Sequence, residues 1–225
     1  RREPGCRGVP TDSLRWGEGM TRIYDCLSHD FVYHDLSKMM IFAGNHDTDR
    51  IGDVVRKNPE RMKIVLTMLA TMRGIPQVFA GDEMMFTSKD LSQGHGGLRV
   101  DFPGGWAGDK TDLFSAEGRT GLEKELFDHA QRLFQWRKGK TVLHNGRTMH
   151  FLSRDNTYAY FRYDDTDAVF VFINNSRGKK QVPWSHYAEI ATGLHDGRNV
   201  LTGEAAEVSD ATVVGPRQAL VVEFK

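Results

Sequence analysis

Two short apolar runs separated by one amphipathic helix constrain the fold of this chain more than any other sequence feature. The runs cover residues 38–42 and 75–79, and the helix between them begins at the start signal Asn58-Pro59-Glu60. A strand, a helix and a second strand in this order predict two parallel strands joined by a crossover helix. Since the first run does not alternate with polar residues, we expect that strand to be buried on both faces.

The rest of the chain before about residue 145 continues this α/β pattern. Apolar residues recur at helical spacing over residues 20–30 and again over 122–136. A long glycine-rich loop, residues 84–121, precedes the second of these helices. We therefore assign residues 20–145 to the α/β part and residues 1–19, which show no sustained period, to an irregular lead-in.

After about residue 145 the pattern becomes that of an all-β domain. The runs "TYAYFRY", "AVFVFIN" and "ALVVEF" have the length and the Val, Phe and Tyr content of strands, and Asp, Asn, Gly and Ser separate them. The boundary lies near Gly146. Residues 146–225 are predicted to form an antiparallel β domain.

The charge balance argues against a polyanionic partner. The chain has 30 basic and 30 acidic residues, so it has no electrostatic footprint for nucleic acid or a membrane surface. No apolar run approaches the roughly 18 residues that a membrane span needs. We expect neither nucleic acid nor a membrane as a partner.

A polar cluster follows the first strand directly, in "FAGNHDTDR", residues 42–50. In parallel α/β folds, binding and catalytic side chains lie at the carboxyl ends of strands. The cluster is therefore a candidate site. The structural alternative is that Asn45 and Asp47 cap a turn and the next helix, while Asp49 and Arg50 form a surface pair.

A metal site is the second alternative. His-Asp dipeptides occur at residues 29–30, 34–35, 46–47 and 195–196, and imidazole with carboxylate suits divalent metals. A metal-dependent phosphohydrolase would use such ligands. However, the dipeptides are scattered, and no second His stands four residues away on a helix, so we assign no metal ligands.

The motifs themselves resemble a known family. "FAGNHDTDR", followed after one helix by "RGIPQVFAGDEM", resembles two consecutive signatures of the α-amylase family of glycoside hydrolases. "LRVDFPGGWAGD", "GRTGLEKELF" and "LFQWRKGKTVLHNGR" are similar to the neopullulanase and cyclomaltodextrinase branch. The resemblance covers roughly residues 17–225. It implies the last strand-helix units of a (β/α)8 TIM barrel followed by a C-terminal antiparallel β-sandwich.

The resemblance also implies roles for the polar cluster. A retaining glycosidase uses one carboxylate as nucleophile and a second carboxyl as acid/base, about 5 Å apart. The family adds a third Asp that stabilises the transition state, and Asp47 matches it. His46, Asn45 and Arg50 are expected to bind substrate beside it.

Two aromatic residues of the long loop, Phe102 and Trp106, complete the predicted substrate contacts, and Phe86 is a further candidate. Aromatic rings can stack on sugar faces, but such rings also pin loops to a barrel. Trp184 and Tyr187 of the β domain could likewise bind starch in a non-catalytic module, although a sandwich core explains them better.

Other carboxylates are assigned to structure. "GLRVD" ending at Asp101 mimics the family's nucleophile signature, but it follows the Asn-His-Asp motif, whereas the family's nucleophile precedes it. It also lies in a glycine-rich loop. Asp82 and Glu83 match strand-end residues of a supporting network.

A whole barrel of this kind takes about 250 residues, and only two of its strand-helix units occur here. We therefore expect the C-terminal part of a longer enzyme that acts on α-1,4-glucans such as starch, maltodextrin, cyclodextrin or pullulan. Alone, it should lack the nucleophile and the acid, and it should self-associate or bind the missing barrel half. No cofactor is expected in this chain, and the family's calcium would be held largely by parts outside it.

Overall fold

The computed structural model describes residues 19–209 and 211–224, so residues 1–18 of the predicted lead-in lie outside the described part. The helices are α1 (Met20–Ser28), α2 (Ile51–Val54), α3 (Pro59–Thr71), α4 (Gly121–Lys138), α5 (Thr141–Asn145) and α6 (Ala188–Ala191). The strands are β1 (Met40–Phe42), β2 (Ile75–Gln77), β3 (Arg147–Arg154), β4 (Thr157–Tyr163), β5 (Ala168–Asn174), β6 (Lys180–Gln181), β7 (Gly197–Asn199), β8 (Ala205–Ala206), β9 (Val213–Val214) and β10 (Gln218–Phe224). No helix of this described part is long and apolar enough to cross a membrane.

β1 and β2 form the predicted parallel pair, with Met40 opposite Ile75 and α3 as the crossover. The helix begins where the sequence indicates, because the Asn58 side chain accepts a 2.9 Å hydrogen bond from the Arg61 backbone N–H. Pro59 occupies the first turn, where a missing N–H costs nothing. The strand-helix-strand prediction is confirmed.

The expected burial of β1 on both faces is wrong. Met40 is 58% exposed and Phe42 42%, and Ile75 of β2 is 55% exposed. In the described residues this sheet has two strands, and the face that carries these three side chains is open to solvent. The absence of polar alternation in the first run is therefore typical of a strand that belongs to a larger sheet with both faces covered.

The C-terminal part is a six-stranded antiparallel sheet in the order β3-β4-β5-β10-β7-β8. The three runs singled out in the sequence are β4, β5 and β10, which lie side by side in it. The β6-β9 pair, α6 and the turn Trp184–Tyr187 pack on one face and form the second layer. Trp184 and Tyr187 are buried there, at 4% and 6% exposure, which confirms their assignment to the core.

The opposite face of the sheet packs on helices of the α/β part. One buried cluster joins Met20 of α1 and Met68 of α3 to Tyr160 of β4 and Val171 of β5. Trp136 of α4 packs against this cluster, and its indole N–H donates to the Glu223 carboxylate at 2.8 Å. The two predicted parts thus share one core.

Two buried arginines reinforce this junction. Arg137 donates to the carbonyl oxygens of Ala70 and Gly74, both at 2.8 Å, at the end of α3 and before β2. Arg162 of β4 donates to the Leu143 carbonyl of α5 at 3.0 Å. Burial lowers the pKa of Arg162 to about 10, which still leaves it cationic at neutral pH. Arg162 thus ties the C-terminal sheet to α5, and Arg137 ties α4 to the end of α3 and to the residue before β2.

Candidate active site at the end of the first strand

The polar cluster forms a tight turn immediately after β1. The Asn45 side chain accepts a 2.9 Å hydrogen bond from the Asp47 backbone N–H, and the Asn45 N–H donates to the Thr48 hydroxyl at 2.8 Å. Asn45 therefore shapes the turn, as its structural interpretation predicted. Asp47 does not cap the next helix, because α2 begins after Arg50 with no side-chain cap.

Asp47 faces solvent and collects three cationic or imidazole donors. Its Oδ1 lies 3.0 Å from Arg99 Nη2 and 3.3 Å from His95 Nδ1, and its Oδ2 lies 3.2 Å from His46 Nε2. Desolvation opposes ionisation, but the charge of His46 and the hydrogen bonds from Arg99 and His95 outweigh it. The pKa of Asp47 is therefore lowered. The result is an ionised, oriented carboxylate with a 53% exposed side chain.

Arg50, three residues after Asp47, is only 2% exposed. Its Nε donates to the Leu98 carbonyl at 2.9 Å, and its Nη1 donates to the Ala80 carbonyl at 2.7 Å. The guanidinium also stacks on the Phe79 ring, 3.8 Å from its centroid. A buried guanidinium cannot reach substrate, so the expected substrate contact is wrong. The expected surface pair between Asp49 and Arg50 is also wrong, because Arg50 is buried.

Asp82 is the buried partner of Arg50, with Oδ1 at 3.1 Å from Nη1. Burial raises the pKa of this carboxyl to about 7, while the charge of Arg50 acts in the opposite direction. The carboxylate of the neighbouring Glu83 accepts a 2.9 Å hydrogen bond from the Gly81 backbone N–H. The prediction of a supporting network at the end of β2 fits both residues.

His95 and Arg99 are the site residues that the sequence reasoning missed. They belong to the segment after β2 that we call the clamp loop, residues 88–99. Its first end is held because Ser88 donates twice to the Asp53 carboxylate, and its second end is held by Arg50 at the Leu98 carbonyl. The available signal was a pair of basic side chains flanking Gly96-Gly97 on the loop that follows the second strand.

The predicted aromatic contacts differ in accessibility. Phe102 is partly buried between Phe86 and Phe114, with ring centroids 5.4 and 4.5 Å away. It therefore pins the loop. Trp106 is 83% exposed, so its ring is free to stack on a ligand. Asp101 is exposed on the same loop.

The remaining His-Asp dipeptides do not assemble with the site. The His29 ring contacts the Asp25 carbonyl at 2.8 Å, and His195, 73% exposed, lies beside its own neighbour Asp196 in the β domain. Across residues 19–209 and 211–224, no group of three or more His, Cys, Asp or Glu is arranged to hold a metal ion. Asp47 is instead surrounded by side chains that form hydrogen bonds and charge pairs with it.

Solved structures that share this fold include two bacterial α-amylases. An Anoxybacillus α-amylase matches with a TM-score of 0.71 at 19% identity, over 97% of this chain and 44% of that one. The α-amylase from Geobacillus thermoleovorans, solved with acarbose, gives 0.72 at 20% identity, over 98% and 46%. The fold is therefore the last strand-helix units of a barrel followed by an antiparallel β domain, as predicted.

Sequence comparison defines the family. The model of the α-amylase catalytic domain matches residues 21–177, and that of the cyclomaltodextrinase C-terminal domain matches residues 148–223. The chain belongs to the α-amylase family of glycoside hydrolases.

Curated relatives are considerably longer than this chain. The β/α-amylase of Paenibacillus polymyxa is 24% identical over 87% of this chain and 15% of its own length. The cyclomaltodextrinase of Geobacillus thermopakistaniensis is 26% identical over 80% of this chain and 28% of its own. The maltogenic α-amylase of Bacillus acidopullulyticus is 27% identical over 64% and 22%. The chain thus spans less than a third of each of these relatives.

Proposed function

We propose that this chain supplies the transition-state-stabilising carboxylate of a retaining α-glucan hydrolase. The observation that carries the proposal is Asp47, which is ionised, exposed and oriented at the carboxyl end of a parallel barrel strand. A fixed negative charge at that place favours an oxocarbenium-like transition state, and its oxygens can accept sugar hydroxyls. His46, 58% exposed, is proposed to donate to the same sugar.

The nucleophile and the general acid are proposed to come from barrel strands outside this chain. A retaining mechanism needs those two carboxyls about 5 Å apart across the glycosidic bond. Asp101 stands on an exposed loop after the motif and is assigned no chemical role. Calcium, if the longer protein uses it, is likewise proposed to bind outside this chain.

The proposed substrate is an α-1,4-glucan, such as starch, maltodextrin, cyclodextrin or pullulan. The names of the relatives support this class, and so does the acarbose complex of the Geobacillus thermoleovorans structure. Trp106 supports it independently, since an exposed indole on the long loop offers a stacking surface for a sugar ring. Asn45 shapes the turn that presents Asp47, and its direct contact with sugar remains a proposal.

The proposed macromolecular partner is the rest of the barrel, or a second copy when that part is absent. The support is the uncovered face of β1 and β2, where Met40 and Ile75 are more than half exposed. Within the part of the chain that the structure describes, each of these strands has an unpaired outer edge, and such edges favour association.

The experiment compares Asp47→Asn with Asp101→Asn in an enzyme that also contains the remaining barrel strands. We expect Asp47→Asn to lower kcat on maltoheptaose about 100-fold or more, because a preorganised charge at the transition state is lost. Oligosaccharide binding should persist. Asp101→Asn should keep normal turnover.

The 225-residue chain alone should be inactive in the same assay. Normal turnover in Asp47→Asn would contradict the assignment of Asp47. Activity in the short chain would mean that both missing carboxyls lie within it.

A further inference from the structure

The hydrogen-bond capacity of Asp47 is nearly filled before any sugar binds. An ionised carboxylate offers about four acceptor positions, two on each oxygen. Oδ1 already faces two donors, Arg99 Nη2 and His95 Nδ1, and Oδ2 faces His46 Nε2. One position on Oδ2 is left, so a sugar that bonds to both oxygens has to displace a donor from Oδ1.

Arg99 is the firmly held donor. The residue before it, Leu98, is 4% exposed, and its carbonyl accepts the buried Arg50 guanidinium at 2.9 Å. The Arg99 N–H also donates to the Gly96 carbonyl at 3.2 Å. Since Arg50 is held in turn by Ala80 and Asp82, the backbone beneath Arg99 is tied to the end of β2.

His95 is the loosely held donor. It stands between Gly94 and Gly96, and a Cβ added at either glycine would have no neighbouring atom within 4 Å. Its side chain is 65% exposed, and its contact with Asp47 is the longer of the two on Oδ1, at 3.3 Å. The open space beside both glycines therefore leaves room for the His95 ring and the loop apex to shift away from Asp47.

We propose that His95 is a displaceable occupant of the sugar-binding oxygen of Asp47, and that Arg99 is a positioning residue that remains and orients the carboxylate. The proposal rests on the proposed function and deepens it. When an α-glucan binds, one of its hydroxyls donates to Oδ1 in place of the His95 ring, and the loop apex moves outward. In the absence of substrate, the clamp loop therefore keeps one oxygen of Asp47 occupied by His95.

The first experiment needs no catalysis and uses the 225-residue chain. NMR titration gives the pKa of the Asp47 carboxyl in the wild type, in Arg99→Gln and in His95→Gln. We expect Arg99→Gln to raise the pKa most and His95→Gln to raise it less. Arg154→Gln, an exposed arginine of the β domain, is the matched control and should leave the pKa unchanged. An unchanged pKa in Arg99→Gln would overturn the proposed contact, whatever the protein's activity.

The second experiment measures kcat and KM for maltoheptaose in an enzyme with the complete barrel. Because His95→Gln replaces the ring with a more flexible, neutral amide that competes less well with the substrate, KM should fall severalfold while kcat is kept. Arg99→Gln should lower kcat at least 10-fold with little change in KM, because the carboxylate is bound to sugar but poorly oriented.

A higher KM in His95→Gln would make His95 a sugar ligand and overturn its displaceable role. An unchanged kcat in Arg99→Gln would overturn the positioning role of Arg99. These outcomes differ from failure of the proposed function, which requires normal turnover in Asp47→Asn.

Discussion

Neighbouring residues of a single motif can have opposite environments. Asp47 and Arg50 are three positions apart, yet the first has a 53% exposed side chain and the second is 2% exposed. The turn made by Asn45 reverses the chain between them and directs one side chain to solvent and the other under the strand ends. The function of each follows from this placement: Asp47 offers charge to a ligand, and Arg50 supports the backbone around it.

The buried carboxyl of Asp82 predicts a pH-dependent stability. Its pKa is about 7 in the folded chain, against about 3.9 in the unfolded chain, so between these values the folded form keeps a proton that the unfolded form has lost. The free energy of unfolding should therefore fall as pH rises from 4 to 7, by at most about 1.4 kcal/mol per pH unit. Above this window the contribution is constant.

Urea denaturation at several pH values tests this effect. Asp82→Asn, which cannot ionise, should lose the slope relative to the wild type. Asp101→Asn, an exposed control, should retain it. Equal slopes in the wild type and Asp82→Asn would show that Asp82 is ionised throughout.

Single residues also show what the sequence can and cannot predict about the site. Asn45, His46 and Asp47 could be located from the motif because strand ends collect functional side chains. The burial of Arg50 could not, since it depends on the Leu98 and Ala80 carbonyls, 48 and 30 positions away. The contacts of His95 and Arg99 with Asp47 depend on the path of a long loop, which no local pattern determines.

Secondary-structure elements were predicted best where local chemistry defines their ends. α3 begins at Pro59 because Asn58 caps it, and both residues are readable in the sequence. The strands β4, β5 and β10 were found from their composition, and they are long and central. The two-residue strands β6, β8 and β9 are defined by pairing with other segments, about 30 residues apart for β6 and β9, and they left no local signal.

The cap of α3 can be tested by substitution. Asn58→Ala should lower the free energy of unfolding by about 1 kcal/mol, because the Arg61 N–H loses its acceptor. Asn58→Asp should keep the stability, since a carboxylate accepts the same bond and is favoured at a helix N-terminus. Urea denaturation measures both variants. A fully stable Ala variant would mean that packing alone defines the start of this helix.

At the scale of the whole molecule, the uncovered face of the strand pair predicts self-association of the isolated chain. Met40 and Ile75 lie opposite each other and are 58% and 55% exposed. Replacing both, with Met40→Lys and Ile75→Glu, should shift the chain from oligomer to monomer in sedimentation velocity, because burial of this face no longer favours association.

The matched control is Val213→Lys on β9, a residue that is also 55% exposed. It should associate like the wild type. A wild-type chain that sediments as a monomer at micromolar concentration would contradict the prediction.

The shared core has a further consequence for how such proteins evolve. One face of the C-terminal sheet is completed by α1 and α3, and the Thr71 hydroxyl at the end of α3 bonds to Tyr160 of the sheet at 2.5 Å. A recombination event between α5 and β3 would place the sheet against helices from another protein. Tyr160 and Val171 would then lose their packing contacts with α1 and α3. Inheritance should therefore keep the last barrel helices and the sheet together. We expect the unit exchanged between lineages to be larger than the domain that a sequence boundary near residue 146 marks out.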